Sequence, residues 1–214
     1  MRLGVTTNTA PIRFAACSTQ IKSRRGAIIQ PDLVQGDLKV TNLITTQRTT
    51  RLSSASREAE GYLELGMHGH ALRVLQRRGK LVHADPWACF LMGESLRELS
   101  RCREALYPLR RSAVLEPSRS ETWLAIGWCY KRTGQIQEAI VALERAIALS
   151  PGEAILHYNL ACYYSLANRR LAAIRRLRRA IDLDANFSQL VPHESDFDCM
   201  RSDPSFRMLV QTTS

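Results

Sequence analysis

The side chains of this sequence that could do chemistry are dispersed and form no known catalytic motif. His68 and His70 could touch one metal ion, but no third ligand lies near them in the sequence. The chain contains no Gly-rich phosphate loop, no GxSxG and no HExxH. We therefore expect a protein that is not an enzyme, has no cofactor and holds no metal, with both histidines exposed in a turn.

The cysteines point to the same conclusion. Six of them are spread along the chain without a CxxC pair or a Cys-His pair at ligand spacing: Cys17, Cys89, Cys102, Cys129, Cys162 and Cys199. A buried cysteine without such partners behaves as a small apolar residue. We expect reduced core thiols in a cytoplasmic protein, and no run of 18 apolar residues predicts a membrane span.

Positive charge is the most unusual chemical feature. The net charge is +10, and residues 1–51 carry eight Lys or Arg against Asp32 and Asp37. A second concentration of charge, called here the arginine cluster, comprises Arg169, Arg170, Arg175, Arg176, Arg178 and Arg179. The cluster is either a solvated helix face or a contact for an anionic partner such as nucleic acid or an acidic protein. It lacks the interleaved aromatic residues that favour single-strand binding.

A regular pattern in the middle of the chain indicates which elements position these residues. Between Ser120 and Pro151 the diagnostic residues are Trp123, Ile126, Gly127, Tyr130, Ala139, Leu143, Ala146 and Pro151. This pattern resembles the 34-residue tetratricopeptide repeat. Steps of 34 residues place further units at about residues 52, 86 and 154, of which the first is degenerate. Gly93 and Gly127 fall inside helices, where we expect the second helix of each pair to approach closely.

The resemblance implies an all-α fold, a right-handed α-solenoid of about three to four helix-turn-helix repeats with a C-terminal capping helix. It is similar to the short arrays of bacterial proteins. We expect the repeat array over residues 52–187 and the cap over residues 188–214, with Asp203 as the N-cap of its helix and Pro204 in the first turn.

Residues 1–51 show no sustained helical or strand period, and we expect a basic, disordered arm. Three other interpretations stay open. The Arg- and Ser-rich start resembles a transit peptide. Phe14-Ala15-Ala16-Cys17 resembles a lipoprotein site, although Arg13 precedes it and no apolar stretch does. Translation could also begin downstream.

In this repeat family, the first helices line an inner groove. The resemblance therefore implies groove residues at matching positions of the three better-formed units. The candidate partner-binding residues are Trp87, Phe90, Glu94, Arg97, Leu124, Trp128, Lys131, Arg132, Tyr158 and Asn159. The centre of this set is aromatic and apolar, which suits an apolar peptide or an amphipathic helix. The alternative is that the N-terminal segment or the C-terminal cap covers these aromatic residues.

Repeats that clamp a chaperone's C-terminal carboxylate place Lys and Asn where this chain has Phe90 or Leu124 and Glu94 or Trp128. We therefore expect another kind of adaptor or scaffold, one that binds a protein or peptide. The alternative is a nucleic-acid- or acidic-partner-associated protein that uses the basic arm and the arginine cluster, with Arg169, Arg170, Arg175, Arg176 and Arg179 in contact. The pattern specifies neither the partner's identity nor an oligomeric state.

Overall fold

The computed structural model describes residues 54–211, which form α-helices and short 3-10 helices without any strand in that range. The predicted all-α helical repeat fold is confirmed. The predicted arm, residues 1–51, lies outside the described residues, and so does the lipoprotein-like Cys17.

Successive helices pair along the chain, and each second helix also packs against the first helix of the next pair. Helix α1 covers residues 54–64. The other helices of the array are α2 His68–Gln76, α3 Pro86–Glu98, α4 Cys102–Leu115, α5 Ser120–Arg132, α6 Ile136–Leu149, α7 Ala154–Leu166 and α8 Arg170–Leu183. A 3-10 helix, Gly79–Ala84, follows the short α2 and joins the first unit to the second.

The 34-residue period is visible in the backbone. Helices α3, α5 and α7 begin at Pro86, Ser120 and Ala154, each 34 residues after the last. The turn inside each unit contains one residue in the left-handed region, again at intervals of 34. These residues are Gly66 (φ 70°), Ser100 (φ 60°), Gly134 (φ 80°) and Asn168 (φ 57°). The first unit therefore keeps the turn geometry of the repeat although its sequence is degenerate.

Close approach of paired helices explains the glycines inside α3 and α5. A Cβ atom built on Gly93 would overlap with the side chain of Leu109 in α4. A Cβ atom on Gly127 would overlap with Leu143 in α6. Both leucines are fully buried. The predicted close contact at these two positions is confirmed.

The C-terminal part covers the end of the array. It consists of α9 Phe187–Leu190, the 3-10 helices Val191–His193 and Ser195–Met200, and α10 Pro204–Gln211. Asp203 Oδ1 accepts hydrogen bonds from the backbone N–H of Ser205 (2.9 Å) and of Phe206 (3.2 Å), so the predicted N-cap is confirmed. Phe206 is buried, and α10 packs against α8.

Candidate peptide-binding groove

Predicted groove residues of α3 and α5 meet where these two first helices are neighbours. The indole of Trp87 stacks on the ring of Phe90 at 5.1 Å between centroids. The guanidinium of Arg97 lies 5.2 Å from the ring centroid of Trp128 on the next first helix. Trp87, Phe90 and Trp128 are half-buried, so each ring keeps one accessible part. Together they form an aromatic surface that is open to a ligand.

Two arginines lie close to the ring of Trp128. Arg97 lies over its ring from α3, and Arg132 lies 5.6 Å from the ring centroid within α5. Arg97 is buried and donates to Glu94 (Nε–Oε1 2.9 Å) and to Glu98 (Nη2–Oε1 2.6 Å). Burial opposes the charge of Arg97, but the carboxylates of Glu94 and Glu98 outweigh it and raise its pKa above the ordinary value. Arg97 is therefore a fixed support for Trp128, already neutralised within its own helix.

Leu124 and Asn159 are less accessible than the aromatic residues. Leu124 is buried, with 8% of its surface exposed. Asn159 is half-buried, and its Nδ2 donates to the carbonyl of Ile155 one turn earlier in α7 (2.9 Å). Neither residue is placed to dominate the binding of a groove ligand.

The cap covers the groove residue predicted on α7. Tyr158 is only 4% exposed, and its ring packs against Phe187 (5.0 Å) and Phe197 (5.9 Å). A groove ligand cannot reach Tyr158 while the cap is in place. The prediction treated Tyr158 as part of the open groove, and this is corrected by the position of the 3-10 helix Ser195–Met200, which packs on α7.

Lys131 is also engaged by the cap. Its ammonium group forms an ion pair with the carboxylate of Asp196. Beside this pair, Ser165 Oγ donates to the backbone carbonyl of Asp196 (2.7 Å). The open part of the predicted groove is therefore confined to α3 and α5, and the cap forms its end.

The same contact brings together three side chains that the sequence pattern did not connect. Ligand atoms of Cys162, Glu194 and Asp196 lie within 4.8 Å of one another. Asp196 is already paired with Lys131, and Glu194 accepts a hydrogen bond from the backbone N–H of Asp196 (3.2 Å). We assign this cluster to the attachment of the cap. It was missed because residues 162 and 194–196 are far apart in sequence and share no repeat position.

The buried hydroxyls of Tyr158 and Tyr163 have no hydrogen-bond partner among the described residues, and the two side chains are 4% and 1% exposed. The ammonium group of Lys131 lies 5.8 Å from the ring centroid of Tyr163. Of the two rings, that of Tyr158 contacts the cap, through Phe187 and Phe197.

Comparison with known proteins identifies the repeat. A family model described as "Tetratricopeptide repeat" matches residues 120–153. Residues 120–153 therefore form a tetratricopeptide repeat, and the described chain has an all-α helical repeat fold. The predicted resemblance to tetratricopeptide repeats is confirmed.

Solved structures share the fold at low sequence identity. MamA from Desulfovibrio magneticus RS-1 is 20% identical, with a TM-score of 0.60 over 75% of this chain and 94% of that chain. Another crystal structure of MamA gives 19% identity and a TM-score of 0.59 over 71% and 86% of the two chains. YrrB, described as a TPR protein with an unusual peptide-binding site, is 21% identical, with a TM-score of 0.58 over 73% and 87%. No curated protein matches the sequence.

His157 takes the place of the conserved repeat tryptophan and is packed rather than ligating. Its Nε2 lies 2.9 Å from the carbonyl oxygen of Pro151, six residues earlier. In the preceding repeat, Trp123 Nε1 donates to the carbonyl of Pro117 with the same separation in sequence (3.0 Å). Burial lowers the pKa of His157, and the nearby charge of Arg176 acts in the same direction. The neutral imidazole therefore donates a hydrogen bond that links α7 to the end of the preceding repeat.

His68 and His70, the two histidines considered as metal ligands, also have structural surroundings. His68 begins α2 and its Nε2 lies 4.0 Å from Glu98 Oε2, while the ring of His70 stacks obliquely on Tyr62 at 5.4 Å. Both belong to the first turn of α2 and not to the preceding turn as expected. His68 is half-buried and His70 is exposed. Within residues 54–211 neither belongs to a group of converging metal ligands.

The arginine cluster lies on α8 and in the turn before it. Arg169 donates to Gln137 Oε1 (2.7 Å), and Arg176 Nη1 lies 3.5 Å from His157 Nδ1. The remaining members are exposed: Arg170, Arg175, Arg178 and Arg179. Among the described residues, no carboxylate forms an ion pair within 4 Å with any member of the cluster.

A cavity of about 730 Å³ lies outside the predicted groove, between α4 and α6 of successive repeats. Its apolar lining includes Val114 and Val141, which are 72% and 50% exposed. Arg145 also lines it, with its guanidinium 4.7 Å from the ring centroid of Trp123.

In the part of the chain that the structure describes, no helix is long and apolar enough to cross a bilayer.

Proposed function

We propose that this protein is a non-enzymatic protein–protein interaction module that binds an apolar or amphipathic peptide segment in the groove of α3 and α5. The observation that carries the proposal is the open aromatic surface of Trp87, Phe90 and Trp128. An indole already in contact with two guanidinium groups loses little conformational freedom when a ligand packs on its exposed part. Tryptophan anchors of this kind commonly dominate binding energy.

The chemistry of the surrounding residues supports an apolar ligand. Arg97 is already paired with Glu94 and Glu98, and Lys131 is paired with Asp196. A ligand of the open groove therefore gains little from a carboxylate beside Arg97, and the same holds for Lys131 as long as the cap is in place. Contact area on the rings is the main source of affinity in the open groove. The likeness to YrrB, whose structure is described as having a peptide-binding site, supports the same class of ligand.

We further propose that the protein acts as a scaffold or chaperone-like adaptor in the cytoplasm. The described cysteines are free thiols, and four of them are buried: Cys89, Cys102, Cys129 and Cys162. Free thiols are typical of a reducing compartment. Labelling of thiols in intact cells tests this location, and a stable intermolecular disulfide in the native protein contradicts it.

Selection from a random dodecapeptide library tests the proposed groove. The wild-type chain is the bait, and the Trp128→Ala variant is the counter-selection. Sequences retained by the wild type and lost on the variant are expected to contain two or three apolar residues at helical or extended spacing. If no sequence is enriched on the wild type, or if enriched sequences bind both baits, the proposal is wrong.

A second candidate function rests on the arginine cluster. Because no described carboxylate pairs with it, the exposed guanidinium groups of α8 are free to contact an anionic partner. This alternative predicts binding of a labelled 20-nucleotide RNA or DNA that weakens steeply with salt. Arg175→Glu with Arg178→Glu is expected to abolish it, and negligible affinity of the wild type at low salt refutes it.

A further inference from the structure

The 3-10 helix Ser195–Met200 makes the larger contact of the cap with α7, and Phe187 of α9 adds a ring contact to Tyr158 at 5.0 Å. Residues 194–200 are called here the cap segment. Lys131 pairs with the carboxylate of Asp196, and Ser165 Oγ donates to the carbonyl of the same residue at 2.7 Å. The next residue, Phe197, places its ring edge-on to Tyr158 at 5.9 Å and is fully buried. One acidic residue and one aromatic residue therefore provide most of the specific contacts.

These contacts are made by predicted groove residues. Tyr158 and Ser165 occupy in α7 the positions that Leu124 and Lys131 occupy in α5, 34 residues earlier. The cap segment thus lies where a peptide would lie if the open groove of α3 and α5 continued by one repeat. Its contacts indicate which chemistry the groove accepts at the fourth unit, on α7.

The ring of Tyr158 contacts the cap segment, but its hydroxyl makes no hydrogen bond to a described residue. A buried hydroxyl without a partner is destabilising compared with one that is hydrogen-bonded. A ligand that offers an acceptor to this hydroxyl makes a contact that the cap segment does not make.

We propose that the groove surface of α7 is a binding site for a peptide segment in which an acidic residue precedes an aromatic residue, and that the chain's own cap segment fills this site until such a partner displaces it. The partner's carboxylate takes Lys131, its aromatic ring lies against Tyr158, and one of its backbone or amide oxygens accepts from the hydroxyl of Tyr158. This inference rests on the proposed function, since it extends the same groove by one repeat.

Binding of the cap segment in trans tests the inference. The probe is a fluorescent peptide with the sequence of residues 193–201 carrying Cys199→Ser, and the hosts are full-length chains. Wild type is expected to bind it weakly because its own cap segment competes at a high effective concentration. Phe197→Ala loosens that segment and is expected to raise the affinity for the peptide at least tenfold.

Two controls make the result specific. Adding Lys131→Ala to the Phe197→Ala host, or replacing the peptide's Asp196 and Phe197 by alanine, is expected to weaken binding at least tenfold. Trp87→Ala in the same host is expected to leave the affinity within twofold, because Trp87 belongs to the open groove. Helical circular dichroism verifies the fold of each host, and Asp196→Ala replaces any Phe197→Ala host that unfolds.

The inference is overturned if a folded host with a loosened cap segment binds the peptide no better than wild type, or if Lys131 makes no difference. Such a result leaves the proposed function intact when library peptides still bind in a Trp128-dependent manner. Conversely, binding of the cap peptide without any library binder supports the site on α7 and refutes the open groove.

Discussion

At the residue scale, small side chains decide how closely two helices of a repeat can approach. Gly93 faces Leu109 so closely that a Cβ atom would overlap with both Cγ and Cδ2 of the leucine. Since Cγ is near the start of the side chain and Leu109 is fully buried, the leucine cannot rotate away without disturbing the core. Close packing therefore requires glycine at this position, although glycine has a poor helix propensity.

Gly93→Ala is expected to lower the free energy of unfolding. Overpacking costs about 1–3 kcal/mol, which exceeds the gain in helix propensity of about 1 kcal/mol. The matched control is Gly69→Ala in α2, where a Cβ atom would meet no atom within 4 Å. Urea denaturation measures both variants. Equal or greater stability of Gly93→Ala contradicts the close-packing account.

His157 is expected to make the stability of the array depend on pH. Burial lowers its pKa, so the unfolded chain takes up the proton at a higher pH than the folded chain. The free energy of unfolding should therefore fall as the pH decreases through about 6.5, the ordinary histidine value. The control is His157→Trp, which restores the usual residue of this repeat position and removes the titrating group. Parallel stability curves of the two proteins between pH 7.5 and 5.5 refute this role.

At the element scale, the turn inside each repeat requires a left-handed residue. Glycine occupies it in two of the four units, but Ser100 occupies it in the second unit with φ 60°. The left-handed conformation costs a non-glycine residue roughly 1 kcal/mol of conformational energy.

Ser100→Gly is therefore expected to raise the free energy of unfolding, by up to about 1 kcal/mol after the larger entropy of the unfolded glycine chain is subtracted. The control is Ser118→Gly. Ser118 also lies in a turn, but its φ is not positive, so this change should be neutral or destabilising. Thermal unfolding distinguishes them. A loss of stability in Ser100→Gly shows that the serine side chain contributes more than the strain costs.

The sequence predicts the regular elements well because each repeat restates the same packing problem. The close contact at Gly127 and the helix start at Asp203 follow from local residue types that have one physical explanation each. The cap segment follows no such rule. Ser165 and Asp196 are 31 residues apart, and their contact depends on how the chain turns after α8. For this reason the repeat pattern allowed a cap over the groove aromatic residues but did not indicate that Tyr158 is the one it buries.

At the scale of the whole described array, the groove has two parts with different availability. The part on α3 and α5 presents half-buried aromatic rings, whereas the part on α7 is filled by the cap segment. Terminal repeats of an array need a cover for their exposed apolar face. In this protein that cover also ends the groove, so a ligand in the open part contacts two first helices.

The most direct test of the central claim is the affinity of a library-selected peptide for three chains measured by fluorescence anisotropy. The chains are wild type, Trp128→Ala and Tyr107→Ala, the last a control because Tyr107 is a well-exposed aromatic residue on α4, outside the groove. Removal of an anchoring tryptophan costs about 2 kcal/mol or more, so the account predicts at least about a thirtyfold weaker Kd for Trp128→Ala and an unchanged Kd for Tyr107→Ala. Equal affinities for wild type and Trp128→Ala would contradict it.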